Sequence, residues 1–201
     1  MKKEIKIISI WSVVLLILVG TFCFLKFLVP KVDVATESTN STELNSVKIE
    51  KLITEDFKNL ELIEIKNEFG EYTIFAEKKE NDEITYHLTK NSKERMPDDL
   101  VQQSIIKNLV SEFEGLMPVK IVEENCEDLT KYGLKNEKNV VVLRFNNGKN
   151  YTFVLGDEAS LSVGYYVKEK SNEKKVYLIT EPSAENFLFP ADSFLIKATE
   201  G

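Results

Sequence analysis

The chain of 201 residues contains one histidine and two cysteines. That scarcity excludes a zinc centre built on several imidazoles, a four-cysteine cluster and a disulfide framework. Glycine and proline are also few, 8 and 5 residues, which rules out a collagen-like or low-complexity chain. No Gly-rich phosphate cradle, no G-x-S-x-G nucleophile elbow and no paired-histidine zinc helix occurs. Beyond residue 31 the only adjacent basic pairs are Lys78-Lys79 and Lys174-Lys175. Nucleic acid, which needs a clustered basic surface, is therefore not an expected partner.

What is present is an ordinary ordered composition, 43% hydrophobic and 29% charged, enough for one domain or two small ones. Charge is distributed unevenly. Residues 1–31 hold five of the 26 basic and one of the 33 acidic residues, so this head carries +4 and the remaining body −11. From Ile7 to Leu25 run 19 consecutive uncharged residues. As a helix they rise about 28 Å, close to the hydrocarbon thickness of a bilayer. Lys2, Lys3 and Lys6 precede the run and Lys26 and Lys31 come after it, a bias that places the amino terminus in the cytoplasm. A cleaved signal peptide has a shorter apolar core and an A-x-A-like site, which is missing here, and against lipidation at Cys23 bulky Phe22 stands where a lipoprotein signal needs a small residue. The expected layout is a cytoplasmic tip (1–6), a transmembrane helix (7–29), a flexible linker (30–46) rich in hydroxyl and amide side chains, and an extracytoplasmic domain (47–201). The membrane is thus an expected partner through residues 7–29.

In the body, period-two alternation recurs at Leu60-Leu62, Tyr72-Ile74-Ala76, Ile84-Tyr86-Leu88, Val119-Ile121 and Tyr151-Phe153-Leu155. Asn146-Asn147-Gly148-Lys149 between two apolar runs predicts a hairpin closed by a type I′ turn. Val163–Lys168 and Lys175–Ile179 predict a second strand pair. One long helix is expected from Pro97 to Gly115, with Asp98 and Asp99 at its dipole end and Val101, Ile105, Leu109 and Phe113 on its apolar stripe, widened by Ile106 and Val110. Shorter helical turns are expected at Asp128–Tyr132 and Pro182–Leu188. The resulting fold class is α+β, a mainly antiparallel sheet with one long helix and short helices on one face, preceded by the membrane helix.

Little of this points to chemistry. His87 alternates out of phase with Ile84, Tyr86 and Leu88, so it falls on the opposite, wetter face of its strand, with no orienting carboxylate marked in the sequence. Glu123-Glu124, Glu127-Asp128 and Asp98-Asp99 read as solvated loops and helix starts, without a ligand ladder. The aromatic residues Tyr151, Phe153, Tyr165, Tyr166 and Tyr177 read as strand packing in preference to a carbohydrate or peptide surface. Cys126 reads as a small, partly buried side chain in preference to a reactive thiol. No catalytic residue, metal site or cofactor is expected.

The order of elements nevertheless resembles a known family. Asp128-Leu129 with Tyr132-Gly133-Leu134, the hairpin through Gly148, Leu155-Gly156-Asp157, Gly164-Tyr165-Tyr166-Val167 and Val176-Tyr177-Leu178 together resemble the bacterial domain of unknown function numbered 4340. Tyr86 stands in place of the family's usual tryptophan, and the similarity spans roughly residues 48–190. The resemblance implies no catalytic residues, so Tyr132, Gly133, Leu134, Gly148, Gly156, Asp157, Tyr165 and Tyr166 are expected to be structural. It also implies a membrane-anchored envelope protein, an accessory of gliding-motility-type ABC transport systems, with a protein partner in the envelope. A carboxylate-dependent envelope hydrolase and a purely structural envelope module are the alternatives.

Overall fold

The computed structural model describes residues 49–91, 93–160 and 163–196. The expected membrane helix and linker lie outside the described residues. Among the described residues, no helix is long and apolar enough to cross a membrane. The chain divides into two units, Met1–Ser46 and Val47–Gly201, and every described residue belongs to the second.

Alternating apolar side chains and short polar turns produce strands throughout. They are β1 (Leu60–Asn67), β2 (Gly70–Lys78), β3 (Ile84–Lys90), β4 (Glu94–Arg95), β5 (Lys120–Glu123), β6 (Asn139–Phe145), β7 (Asn150–Glu158), β8 (Tyr165–Glu169) and β9 (Val176–Ile179). They form one sheet in the order β4-β3-β2-β1-β6-β7-β8-β9-β5, with every described neighbour pair antiparallel. Two meanders, β1–β4 and β6–β9, therefore meet along a seam where Ile63 and Ile65 of β1 stand opposite Leu143 and Val141 of β6.

Two helices, α1 (Gln103–Glu114) and α2 (Glu181–Leu188), pack on one face. Ile106, Leu109, Val110 and Phe113 of α1 are buried with Ala184 and Phe187 of α2 against Ile63, Ile74, Leu88, Val141 and Phe153. Phe113 meets Phe187 edge to face, ring centroids 5.6 Å apart. Buried Asn67 fastens α2 to β1, its Nδ2 donating to the carbonyls of Phe187 and Phe189 at 3.1 and 2.9 Å, and the Tyr72 hydroxyl donates to Phe189 as well. These are the last carbonyls of a short helix, and the side chains pair groups that the helix itself leaves open.

On the opposite face, Val154 lies out of phase with Phe153 and Leu155 and joins a smaller core of Cys126, Leu134 and Val176. The connection between β5 and β6 supplies its cover. Neither helix covers the rest of that face, over β1–β3 and β6.

The α+β reading holds, with two local corrections. The long helix starts at Gln103, not Pro97: Asp98–Leu100 forms a separate 3-10 turn, and Val101 is extended (ψ 121°). Val101 bridges Leu195 and the Gln102 amide donates to Phe194, so pairing with the C-terminal segment interrupts the helix. The β6–β7 hairpin is not closed by a type I′ turn. Gly148 has φ +82°, while Asn146 and Asn147 do not have positive φ. The Gly148 amide donates to Phe145, and the Phe145 amide to Lys149, the pattern of a three-residue loop with glycine in the left-handed position.

Candidate functional site

Of the eight positions that the resemblance marks as structural, six form a cluster and two, Gly148 and Tyr165, lie apart from it. Asp128 accepts from the Thr130 amide and starts a 3-10 turn, Leu129–Tyr132, which Gly133 ends in the left-handed conformation. This turn lies on β7 at Gly156-Asp157. A Cβ on Gly156 would stand 2.1 Å from the Tyr132 carbonyl oxygen, and one on Gly133 would stand 2.2 Å from an Asp157 carboxylate oxygen. Gly156 therefore requires glycine because the obstacle is backbone, and Gly133 because of its left-handed φ of +68°, the Asp157 side chain being able to move aside. Leu134 is fully buried beneath, and Tyr132 packs on Tyr166 with ring centroids 4.7 Å apart. Gly148 sits at the other end of β7, in the hairpin loop. Tyr165 faces the helix-side core. The motif is thus a clamp that seats the β5–β6 connection on the sheet, and Cys126, 3% exposed, lies within the core it closes. Burial raises the Cys126 thiol above its ordinary value, which makes it a poor nucleophile.

His87 departs from expectation in one respect. It projects opposite the helices, beside Phe75 in the register, yet it is buried, 8% exposed. Its Nε2 lies 2.6 Å from Glu77 of β2, and its Nδ1 lies 2.8 Å from Asp98 and 2.8 Å from the Arg95 guanidinium of β4. Two orienting carboxylates are therefore present. Both ring nitrogens are engaged by side chains of the domain itself. Asp98 is held below the usual carboxylate range, chiefly by its hydrogen bond to His87 and also by Arg95. Asp98 thus serves this cluster while opening the 3-10 turn, and does not start the long helix. Sequence alone carried a usable signal: a β2–β3 hairpin closing near Asn81 puts Glu77 diagonal to His87.

A groove of about 350 Å³ crosses the face that neither helix covers, between Thr73 of β2, Glu64 and Lys66 of β1, Val140 and Val142 of β6, and Glu137 and Lys170 beyond. Its carboxylates are paired with cations: Glu64 with Arg144 at 3.1 Å, Glu71 with Lys66 at 3.2 Å, and Glu137 with Lys170 at 2.7 Å. Glu137 also holds Lys168, which is 3% exposed, at 3.4 Å. Lys170 first, then Lys168, keeps the Glu137 carboxyl below its ordinary value despite partial burial. Exposed Phe75 lies on the same face. Nothing in the residue pattern singled this groove out, because it depends on the β1–β6 seam. Among the described residues, no group of three His, Cys, Asp or Glu side chains is arranged to hold a metal ion. The aromatic residues do not form one surface, since Phe153 is in the helix-side core and Tyr166 packs on the opposite face.

Comparison with curated proteins and with solved structures gives no match. A family match is found. Residues 91–199, which include β4–β9, both helices and every residue of the clamp, match the domain of unknown function DUF4340. The matched stretch begins after β3, downstream of the strand carrying Tyr86. With the clamp in place and more than half of its length matched, the chain belongs to the DUF4340 family.

Proposed function

We propose that this chain is a membrane-anchored, non-catalytic interaction protein. Its extracytoplasmic domain binds a protein partner on the uncovered face of the sheet, as an accessory of an envelope or ABC-transporter-associated assembly. The observation that carries the reading is that face itself: a groove edged by charges of both signs, with Phe75 exposed beside it and neither helix over it. Aromatic anchors set among paired charges suit recognition of another protein better than turnover of a small molecule. The uncharged run Ile7–Leu25 and the polar linker behind it support the anchor, and family membership is consistent with the assembly.

The test places a photo-crosslinking residue at Phe75 or Val142 of the full chain in the cells that make it. Exposed Glu112 on α1 serves as the control position, and protease is added to intact cells in parallel. The expected result is a discrete adduct from the groove positions that Glu112 does not give, together with digestion of the domain from outside. Adducts indistinguishable from the control, or a domain digested only after lysis, overturn the reading.

A carboxylate hydrolase is the second reading, because Glu64, Glu71 and Glu137 share one groove. Such an enzyme needs one carboxyl kept protonated as the acid. Glu137, held ionised by two lysines, is the reverse of that.

A further inference from the structure

Of the eight large apolar side chains that stand out from the described surface, three lie at one end of the domain: Ile49, Met117 and Val119, at 40, 46 and 47% exposure. This is the end at which the chain enters. The Leu52 amide donates to Leu116 at 3.0 Å and so fastens the first described residues beside the 116–119 segment. Ile49, Leu52, Pro118 and Ile121 line one hollow of about 220 Å³ between them. Charges around the hollow cancel, Lys51 and Lys175 against Glu50 and Glu169, and just beyond it Lys120 beside Val119 is offset by Glu124, which pairs with Lys175 at 3.5 Å. Everything past residue 31 together carries −11.

From these features we infer that the domain rests on a lipid surface through this end, with Ile49, Met117 and Val119 inserted at the headgroup boundary. The inference rests on the anchor proposed above. An anionic bilayer repels an acidic body, and it repels least where the charge is balanced. Isolated aliphatic side chains framed by lysines gain from the interface, because the apolar part leaves water while the ammonium groups stay among headgroups. Chain direction selects the same end. The 48 residues before Ile49 contain the apolar run, and they lead into the domain at Ile49 and at no other point. The other exposed apolar residues, among them Phe69, Leu100 and Ile196, lie on other segments.

The test uses the full chain in nanodiscs of mixed phosphatidylcholine and phosphatidylglycerol carrying a headgroup spin label, read by methyl signals. The expected result is that Ile49, Met117 and Val119 lose about twofold more intensity than Val163 and Ile196, and that Met117→Glu combined with Val119→Glu removes the excess. Both substitutions are at exposed positions, and an otherwise unchanged amide spectrum verifies the fold. Equal loss at all exposed methyls in a chain that is incorporated overturns the lipid-facing end and leaves the anchor standing. A chain that does not enter the discs overturns the anchor, and the inference with it.

Discussion

Asp98 shows how one side chain takes its meaning from partners distant in sequence. It is mostly exposed, yet His87 and Arg95 favour its charged form and depress its carboxyl below the unfolded value. A carboxyl depressed by folding stabilises the native state above its unfolded pKa, and that contribution is lost as pH falls through the folded one. Unfolding by urea from about pH 7 to about pH 3 is therefore expected to show a shallower acid limb in Asp98→Asn than in the parent, with the two curves converging at the acid end. Parallel curves would show that His87 does not read this carboxylate. The residue-level signals in the sequence were uneven. Gly133 announced itself by its place directly after Leu129-Thr130-Lys131-Tyr132, a turn that needs a left-handed close. Gly156 gave no such signal, because what excludes a side chain there is the carbonyl of Tyr132, 24 residues earlier in the chain.

Local pattern identified nearly every element, and contacts between elements displaced their limits. The apolar stripe of α1 is buried at Ile106, Leu109, Val110 and Phe113, while Ile105, expected on its centre line, is half-buried and Val101 lies outside the helix. Its start moved because Val101 and Gln102 pair with the end of the chain, which helical periodicity cannot register. That displaced start leaves Gln103 in the first turn with its side-chain amide on β3: Oε1 accepts from the Tyr86 amide at 2.8 Å and Nε2 donates to the Tyr86 carbonyl at 2.7 Å. One side chain thus imitates a neighbouring strand where β4 is too short to reach. Gln103→Ala is expected to cost about 1–3 kcal/mol, since both backbone groups lose a partner in a part-buried site. Amide exchange at Tyr86 should accelerate more than at Ile74 on the interior strand β2. Equal acceleration at both would mean that the helix, and not the strand edge, had been weakened.

At the scale of the molecule, the sheet carries two cores of unequal size, and the smaller depends on the clamp. Leu134 is its centre, fully buried between Val154, Val176 and Cys126. Leu134→Ala should destabilise the domain by about 2–4 kcal/mol through the cavity it leaves. In a Cys23→Ser background, Cys126 then becomes a reporter of the connection above it. Its labelling by a thiol reagent should speed up about tenfold or more if this connection opens by itself, and only in step with global unfolding if the two cores form one cooperative unit. The fold class was legible in advance because alternation and turn residues are local. The groove was not, since it is assembled by strand order and the β1–β6 neighbourship spans some 80 residues of chain, whereas the pairing of His87 with Glu77 lay within one hairpin.

That neighbourship also separates two kinds of boundary. The family match opens at Asn91, so β1–β3 lie outside it, yet β1 is what covers the inner edge of β6. A fragment cut at the match would present Val140-Val141-Val142-Leu143 as a bare, apolar strand edge, the kind of template on which chains stack. The boundary of the family match thus runs through the sheet, between strands that pair with one another, and not between two folding units.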